Sequence, residues 1–255
     1  MLSSFWMASV LASLALSAPV FPVPFGINPA DLSIVSDYFN LLSQKIQEGK
    51  GFSSPPACDL SAAAMPSSSL APPDSGLLLK HVAIGRGTQN YTCTNSSSQA
   101  TPAAAGAVAT LYNASCVAAT LPAILDLLPN LTLQWNLNAA DQEALYPASV
   151  FLSGHHFFTN ATTPYFNLDT TAMQLGQASC SKVSSVPAPA DAPLGQGGVG
   201  NGSVPWLKLQ THDATGSLEQ VYRVNTAGGN PPKTCDGMPA QFEVQYAAEY
   251  WFWES

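Results

Sequence analysis

Between Gln241 and Trp253 the chain alternates with a period of two. Phe242, Val244, Tyr246, Ala248, Tyr250 and Phe252 fall on one side, and Gln241, Glu243, Gln245, Ala247, Glu249 and Trp251 on the other. Successive strand side chains point to opposite faces, so this run predicts a long strand with one buried face. Shorter strands are predicted at residues 77–84, 89–94, 106–112, 131–137, 150–158, 165–168, 205–210 and 219–226, separated by Gly, Pro and Asn. Short helices are predicted at residues 121–128 and 139–145. Helix and strand do not alternate in the βαβ manner. The pattern therefore predicts a mainly β domain, an antiparallel sandwich or barrel, over residues 77–255.

The segments before this domain differ in kind. Residues 1–17 carry an apolar run from Phe5 to Leu16, the length of a signal-peptide core and too short to span a bilayer. Small residues at Ala15 and Ser17 place cleavage after Ser17. Residues 18–52 hold an amphipathic helix: Asn28 caps it, Pro29 and Asp31 suit its first turn, and Leu32, Val35, Phe39, Leu42 and Ile46 form one stripe before Gly49. Residues 53–76 are rich in Pro, Ser and Ala and read as a linker.

Charge supports export. Only 9% of residues are charged and the net charge is −8, with no basic block, which argues against nucleic acid and anionic membranes. No later segment approaches the length of a membrane span. Six sequons, at Asn90, Asn95, Asn113, Asn130, Asn160 and Asn201, fit a glycosylated surface. The five cysteines, Cys58, Cys93, Cys116, Cys180 and Cys235, contain no CxxC, so no metal site is expected of them. In an oxidising compartment they read as two disulfides and one odd thiol, an arrangement with fifteen possible forms.

Gly195, Gly197 and Gly200 match the G-x-G-x-x-G spacing of a dinucleotide loop. Such a loop joins a buried strand to a helix whose N-terminus faces the pyrophosphate. Here a proline-rich stretch precedes the glycines and a strand-like one follows them, so no NAD-dependent dehydrogenase and no cofactor is expected.

The two arginines lie in distinctive phrases, Arg86 in "HVAIGRGTQNYTC" and Arg223 in "VYRVNTAGGNPPKTCDG". With "LSGHHFF", "VPWLKL" and "VQYAAEYWFW", this series resembles the fungal branch of the domain-of-unknown-function 3455 family over about residues 57–255. The resemblance implies no established reaction; some members carry a malate-dehydrogenase label that the glycine loop here does not support. It also implies disulfides. Cys93 and Cys235 stand at the positions that recur in the bacterial phrases and should pair, Cys58 and Cys116 belong to the fungal version and form the second pair, and Cys180 is left over.

Arg86, Gln89, His156, Arg223, Asn225 and Glu249 are rare polar residues in strand-like phrases and form the candidate site. An arginine can hold a carboxylate or sugar hydroxyls, and Glu249 with His156 could act as acid and base. The structural alternative is an ion pair, Arg223–Glu249 or Arg86–Glu249, with Asn225 as a turn former. His155 and His156 should face opposite ways, so a metal would need distant partners such as His81 or His212. Trp206, Trp251 and Trp253 could offer a sugar platform or simply pack.

These features point to a secreted protein, extracellular or in the cell wall, that binds a glycan or an extracellular protein at the fungal cell surface or host interface. A secreted carbohydrate-active or ester-cleaving enzyme and a structural wall protein are the alternatives. N-terminal sequencing of secreted protein should begin near Ala18, and enzymatic deglycosylation should remove several kilodaltons. Extracellular protein that begins at Met1 would contradict this reading.

Overall fold

The computed structural model describes residues 58–134 and 152–255. The signal segment, the helical segment within 18–52, the first residues of the Pro/Ser/Ala-rich stretch and the helix expected at 139–145 lie outside the described residues.

Eight strands form a closed antiparallel barrel: β1 (Leu78–Thr92), β2 (Ala103–Asn113), β3 (Leu152–Phe158), β4 (Pro164–Asp169), β5 (Gln174–Val186), β6 (Trp206–His212), β7 (Leu218–Gly228) and β8 (Gln241–Glu254). Each strand pairs with its neighbour in the chain, and β1 closes the circle against β8 from Leu78↔Glu254 to Thr92↔Gln241. Of the two architectures expected, the barrel is the one formed. Closure leaves no free sheet edge.

An eight-stranded barrel is just wide enough for side chains to fill. Here the largest residues come from two opposite strands. β8 points Tyr246, Tyr250 and Phe252 inward, and β4 adds Phe166 and Leu168. Small residues stand on the strands beside them: Ala83 on β1, Ala107 and Ala109 on β2, and Ala178 and Cys180 on β5. The same economy of space explains Gly85 and Gly87. A Cβ on Gly85 would collide with the Tyr250 ring, and one on Gly87 with the Val108 carbonyl oxygen. Glycine as a breaker splits this stretch into two short strands in the sequence, yet β1 runs unbroken for 15 residues because its neighbours occupy the missing side chains' space.

Three short helices follow β2: α1 (Ser115–Thr120), α2 (Pro122–Leu125) and α3 (Leu128–Leu133). They replace the single helix expected at 121–128, and α3 overturns the first part of the strand expected at 131–137, whose residues 135–137 lie outside the described ones. Pro129 sits in the first turn of α3, where its missing N–H costs nothing, and Arg86 takes up the carbonyls of the last turn. β5 has no counterpart among the expected strands. Its buried residues are Gly176, Ala178 and Cys180, too small to write an apolar stripe.

β8 also departs from expectation, because it is buried on both faces from Tyr246 to Phe252. The outer wall formed by β1, β7 and β8 is covered by α1–α3 and by the Pro/Ser/Ala-rich stretch from Cys58 onward. Leu70, Val82, Ile84, Ala118, Leu125, Trp206, Tyr222, Val224 and Trp251 make this second core. Polar straps hold the stretch down. Tyr222 donates its hydroxyl hydrogen to Ala71 O at 2.8 Å, and Lys208 donates to Pro72 O and to the Asp74 carboxylate at 2.9 and 3.0 Å.

Two disulfides complete the frame. Cys58–Cys116 ties the covering stretch to α1, and Cys93–Cys235 ties the end of β1 to the β7–β8 connection, with Cα atoms 5.2 and 5.8 Å apart. Cys180 is free and buried inside the barrel, where burial raises its thiol to about 12. Non-reducing peptide mapping should recover these two linked pairs, with Cys180 alkylated only after unfolding. Labelling of Cys180 in the native protein would contradict its placement.

Candidate functional site

Register decides which candidate residues can meet. Residues paired across adjacent strands share a face. Glu249 pairs with Ile84 and Val224, which belong to the outer core, whereas Arg223 pairs with Tyr250 and Leu207, which belong to the inner one. The six candidates therefore fall into two groups separated by the barrel wall. Arg86, Asn225 and Glu249 lie outside, beneath the helices. Gln89, His156 and Arg223 lie inside.

The outer group is built around an irregularity of β7. Its register against β8 shifts between Val224 and Ala227, and Asn225 adopts φ 44°, a left-handed conformation that a non-glycine residue rarely takes. The side-chain amide of Asn225 then bridges the layers, donating to Asp126 O in α2's last turn at 2.9 Å and to Glu249 Oε1 at 2.7 Å. The other carboxylate oxygen of Glu249 accepts from the Trp251 indole at 2.9 Å. Burial pushes the Glu249 carboxyl up to about 7, against the pull of these two donors and with a further push from Asp126.

Arg86 does not pair with Glu249. Its Nε and Nη2 donate to Thr132 O and Leu133 O at 2.9 and 3.3 Å, and its Nη1 to Gly87 O and Tyr246 O. The guanidinium thus caps α3 against the barrel, a structural role. The alternative pair, Arg223–Glu249, is excluded by the wall between them.

Over the outer group opens a crevice of about 300 Å³, lined by Pro66, Asp126, Asp191, Pro193, Trp206 and Asn225, among others. A neighbouring crevice of about 290 Å³ shares Pro189 and Ala192 with it and reaches Ser203, Pro205 and Asn230. Asp126 and Asp191 are carboxylates that the sequence pattern did not single out, because each lies in a connection rather than a strand.

Inside, His156 stacks on Phe166 with ring centroids 4.2 Å apart, and its Nδ1 meets Tyr165 O at 2.9 Å. Burial lowers it to about 4, so it is neutral at ordinary pH. His81 is buried as well, lowered to about 3, with its Nδ1 2.9 Å from Ser115 Oγ. Tyr246 and Tyr250 share a hydroxyl–hydroxyl hydrogen bond of 2.9 Å. The Gln89 side chain lies beside the Tyr246 hydroxyl and the Arg223 guanidinium beside that of Tyr250. The tyrosines read in the sequence only as apolar members of β8, and nothing there marks them as polar partners.

The histidines do not gather. His212 bonds Ser181 at the surface, and among the described residues no three His, Cys, Asp or Glu side chains come together as a metal site would require. Trp206, Trp251 and Trp253 all pack into the outer core, so they form no exposed platform, although Trp206 borders the crevice. The glycine loop connects antiparallel β5 and β6 with a single 3-10 turn at Gln196–Gly198, so the strand-to-helix geometry that grips a pyrophosphate is not there.

A family model described as "Protein of unknown function (DUF3455)" matches residues 73–254. The chain belongs to the DUF3455 family. No curated protein and no solved structure matches it. The DUF3455 span takes in all eight strands, both candidate groups and the Cys93–Cys235 bond; Cys58 falls before it.

The buried groups set a pH dependence. An unfolded Glu249 releases its proton near 4.5 and the folded one near 7, so its contribution to stability is lost as pH rises between those values. His81 and His156 act oppositely: the unfolded chain takes up their protons below 6.5 while the folded one refuses them, and stability falls on acidification. Replacing Glu249 by Gln isolates the first effect. Denaturant titrations should show E249Q gaining roughly 3 kcal/mol relative to wild type between pH 4.5 and 7.5. A difference that stays constant across that range would show that Glu249 titrates normally.

Proposed function

We propose that this DUF3455 protein is a secreted glycoprotein that acts by binding, and that its partner is a hydroxyl-rich glycan held in the crevice beside Asn225. The observation that carries this reading is the division of the candidate residues. An acid–base pair must reach the same reacting atoms, and His156 and Glu249 lie on opposite sides of the barrel wall. The enzymatic alternative built on those residues loses its geometry.

The crevice has the complementary features of a recognition surface. Asp126 and Asp191 offer carboxylate acceptors to hydroxyl groups beside Asn225, while the Trp206 edge and several prolines give a rigid apolar floor. Its openness suits a chain end or a branch, not an engulfed small molecule. The two disulfides are consistent with an extracellular setting. No helix of the described residues is long and apolar enough to cross a membrane.

A glycan array combined with a panel of glycosidase and esterase substrates tests the reading. The expected result is a reproducible set of bound glycans, no turnover, and at least fivefold weaker binding in Asp191→Ala, an exposed position whose loss leaves the core intact. Turnover of any panel substrate, or an array without specific hits, would overturn it.

A further inference from the structure

The inside of the barrel contains a feature that glycan binding at the outer crevice does not use. Arg223 is 8% exposed, yet no carboxylate of the described residues forms an ion pair with it. One of its donors, Nη2, bonds Pro205 O at 2.9 Å, and its Nε–H is buried with no partner. A buried cation without a counter-charge is costly, and so is each orphaned donor.

Its surroundings are all neutral. The groups that feel the charge of Arg223 are Tyr91, His156, Tyr246 and Tyr250. Burial holds all three tyrosines above their usual range and His156 well below its own, so none supplies a negative charge at ordinary pH. The nearby donors point the same way. Gln89 Nε2 is a second buried donor without a partner, and the hydrogen-bonded Tyr246–Tyr250 hydroxyl pair lies between it and Arg223. Tyr91 gives its hydroxyl hydrogen to Gly229 O at 2.8 Å, which packs the β7–β8 connection over this end of the barrel. The second crevice lies against Pro205 and Ser203, the segment whose carbonyl Arg223 holds.

We infer that this end of the barrel is a binding site for a small carboxylate, gripped by the Arg223 guanidinium through its unpartnered Nε–H and the adjoining Nη2, with the Gln89 amide as second donor. A guanidinium presents its Nε–H and one Nη–H side by side, the spacing of the two oxygens of a carboxylate. That fork favours a carboxylate over a halide, which can use only one point of it. The hydroxyl pair behind it supplies further donors as it reorients.

Acetate is the probe, with chloride as the control arm. The full-length protein, prepared free of both anions, is titrated with either sodium salt at constant ionic strength. Thermal stability and the tyrosine ultraviolet difference spectrum are followed together. Acetate should raise Tm saturably and perturb the tyrosine spectrum with the same midpoint, and chloride should require at least tenfold higher concentration. Arg223→Lys, which keeps the charge and loses the fork, should weaken acetate at least tenfold. Gln89→Leu should weaken it severalfold and provides the test if the lysine variant does not fold. Equal potency of the two anions, or acetate effects that survive in both variants, would overturn the proposal. So would the absence of a saturable response. Binding to the outer glycan crevice is read separately, through Asp191→Ala, which should leave the acetate response unchanged.

Discussion

The barrel depends on one ladder, that of β1 against β8. It joins the first strand of the domain to the last, and every other strand is added between them in chain order. Closure at a fixed circumference leaves a fixed interior, so the large rings of β8 require small residues on the strands beside them. Gly85 and Gly87 on β1 meet that demand where it is sharpest, beside Tyr250 and the Val108 backbone. The phrase that holds them also turns Arg86 outward, where it fastens α3 to the wall. One short stretch therefore sets both the inner packing and the outer layer.

The sequence is most legible where the inward residues are large. β8 and β7 follow directly from their alternation, and so do β3, β4 and β6 within a residue or two. It is least legible where the barrel needs small ones. β5 escapes notice because Gly176, Ala178 and Cys180 carry no hydrophobic signal, and β1 seems interrupted for the same reason. The α3 stretch fails differently. Leu131 and Leu133 alternate as a strand would, and the helix there is stabilised by contacts that no local pattern records, among them the Arg86 bonds to its final carbonyls.

The candidate site shows the same limit. Rarity and position identify the polar residues, but the face on which each one lies depends on register and on a bulge. Asn225 and Arg223 are two residues apart, and a regular strand would place them on the same side. The shift between Val224 and Ala227 instead leaves Arg223 inside and sends the Asn225 amide out to Glu249 and Asp126. A sequence reading that joins them into one cleft is chemically sensible and geometrically wrong. Two groups of polar residues of different character are the result: one beside an open, carboxylate-lined crevice, the other cationic and enclosed.

The Cys93–Cys235 bond has a topological meaning beyond its effect on the unfolded chain. It converts the stretch between the two cysteines, 142 positions apart in sequence, into a covalent ring holding β2 through β7, from which β1 and β8 depart side by side. An extracellular protease that cuts the exposed β5–β6 connection, or any other loop of that ring, severs the backbone without releasing a fragment. The nicked molecule keeps its seam ladder and its covalent unity. Damage of that kind becomes a scar instead of a loss.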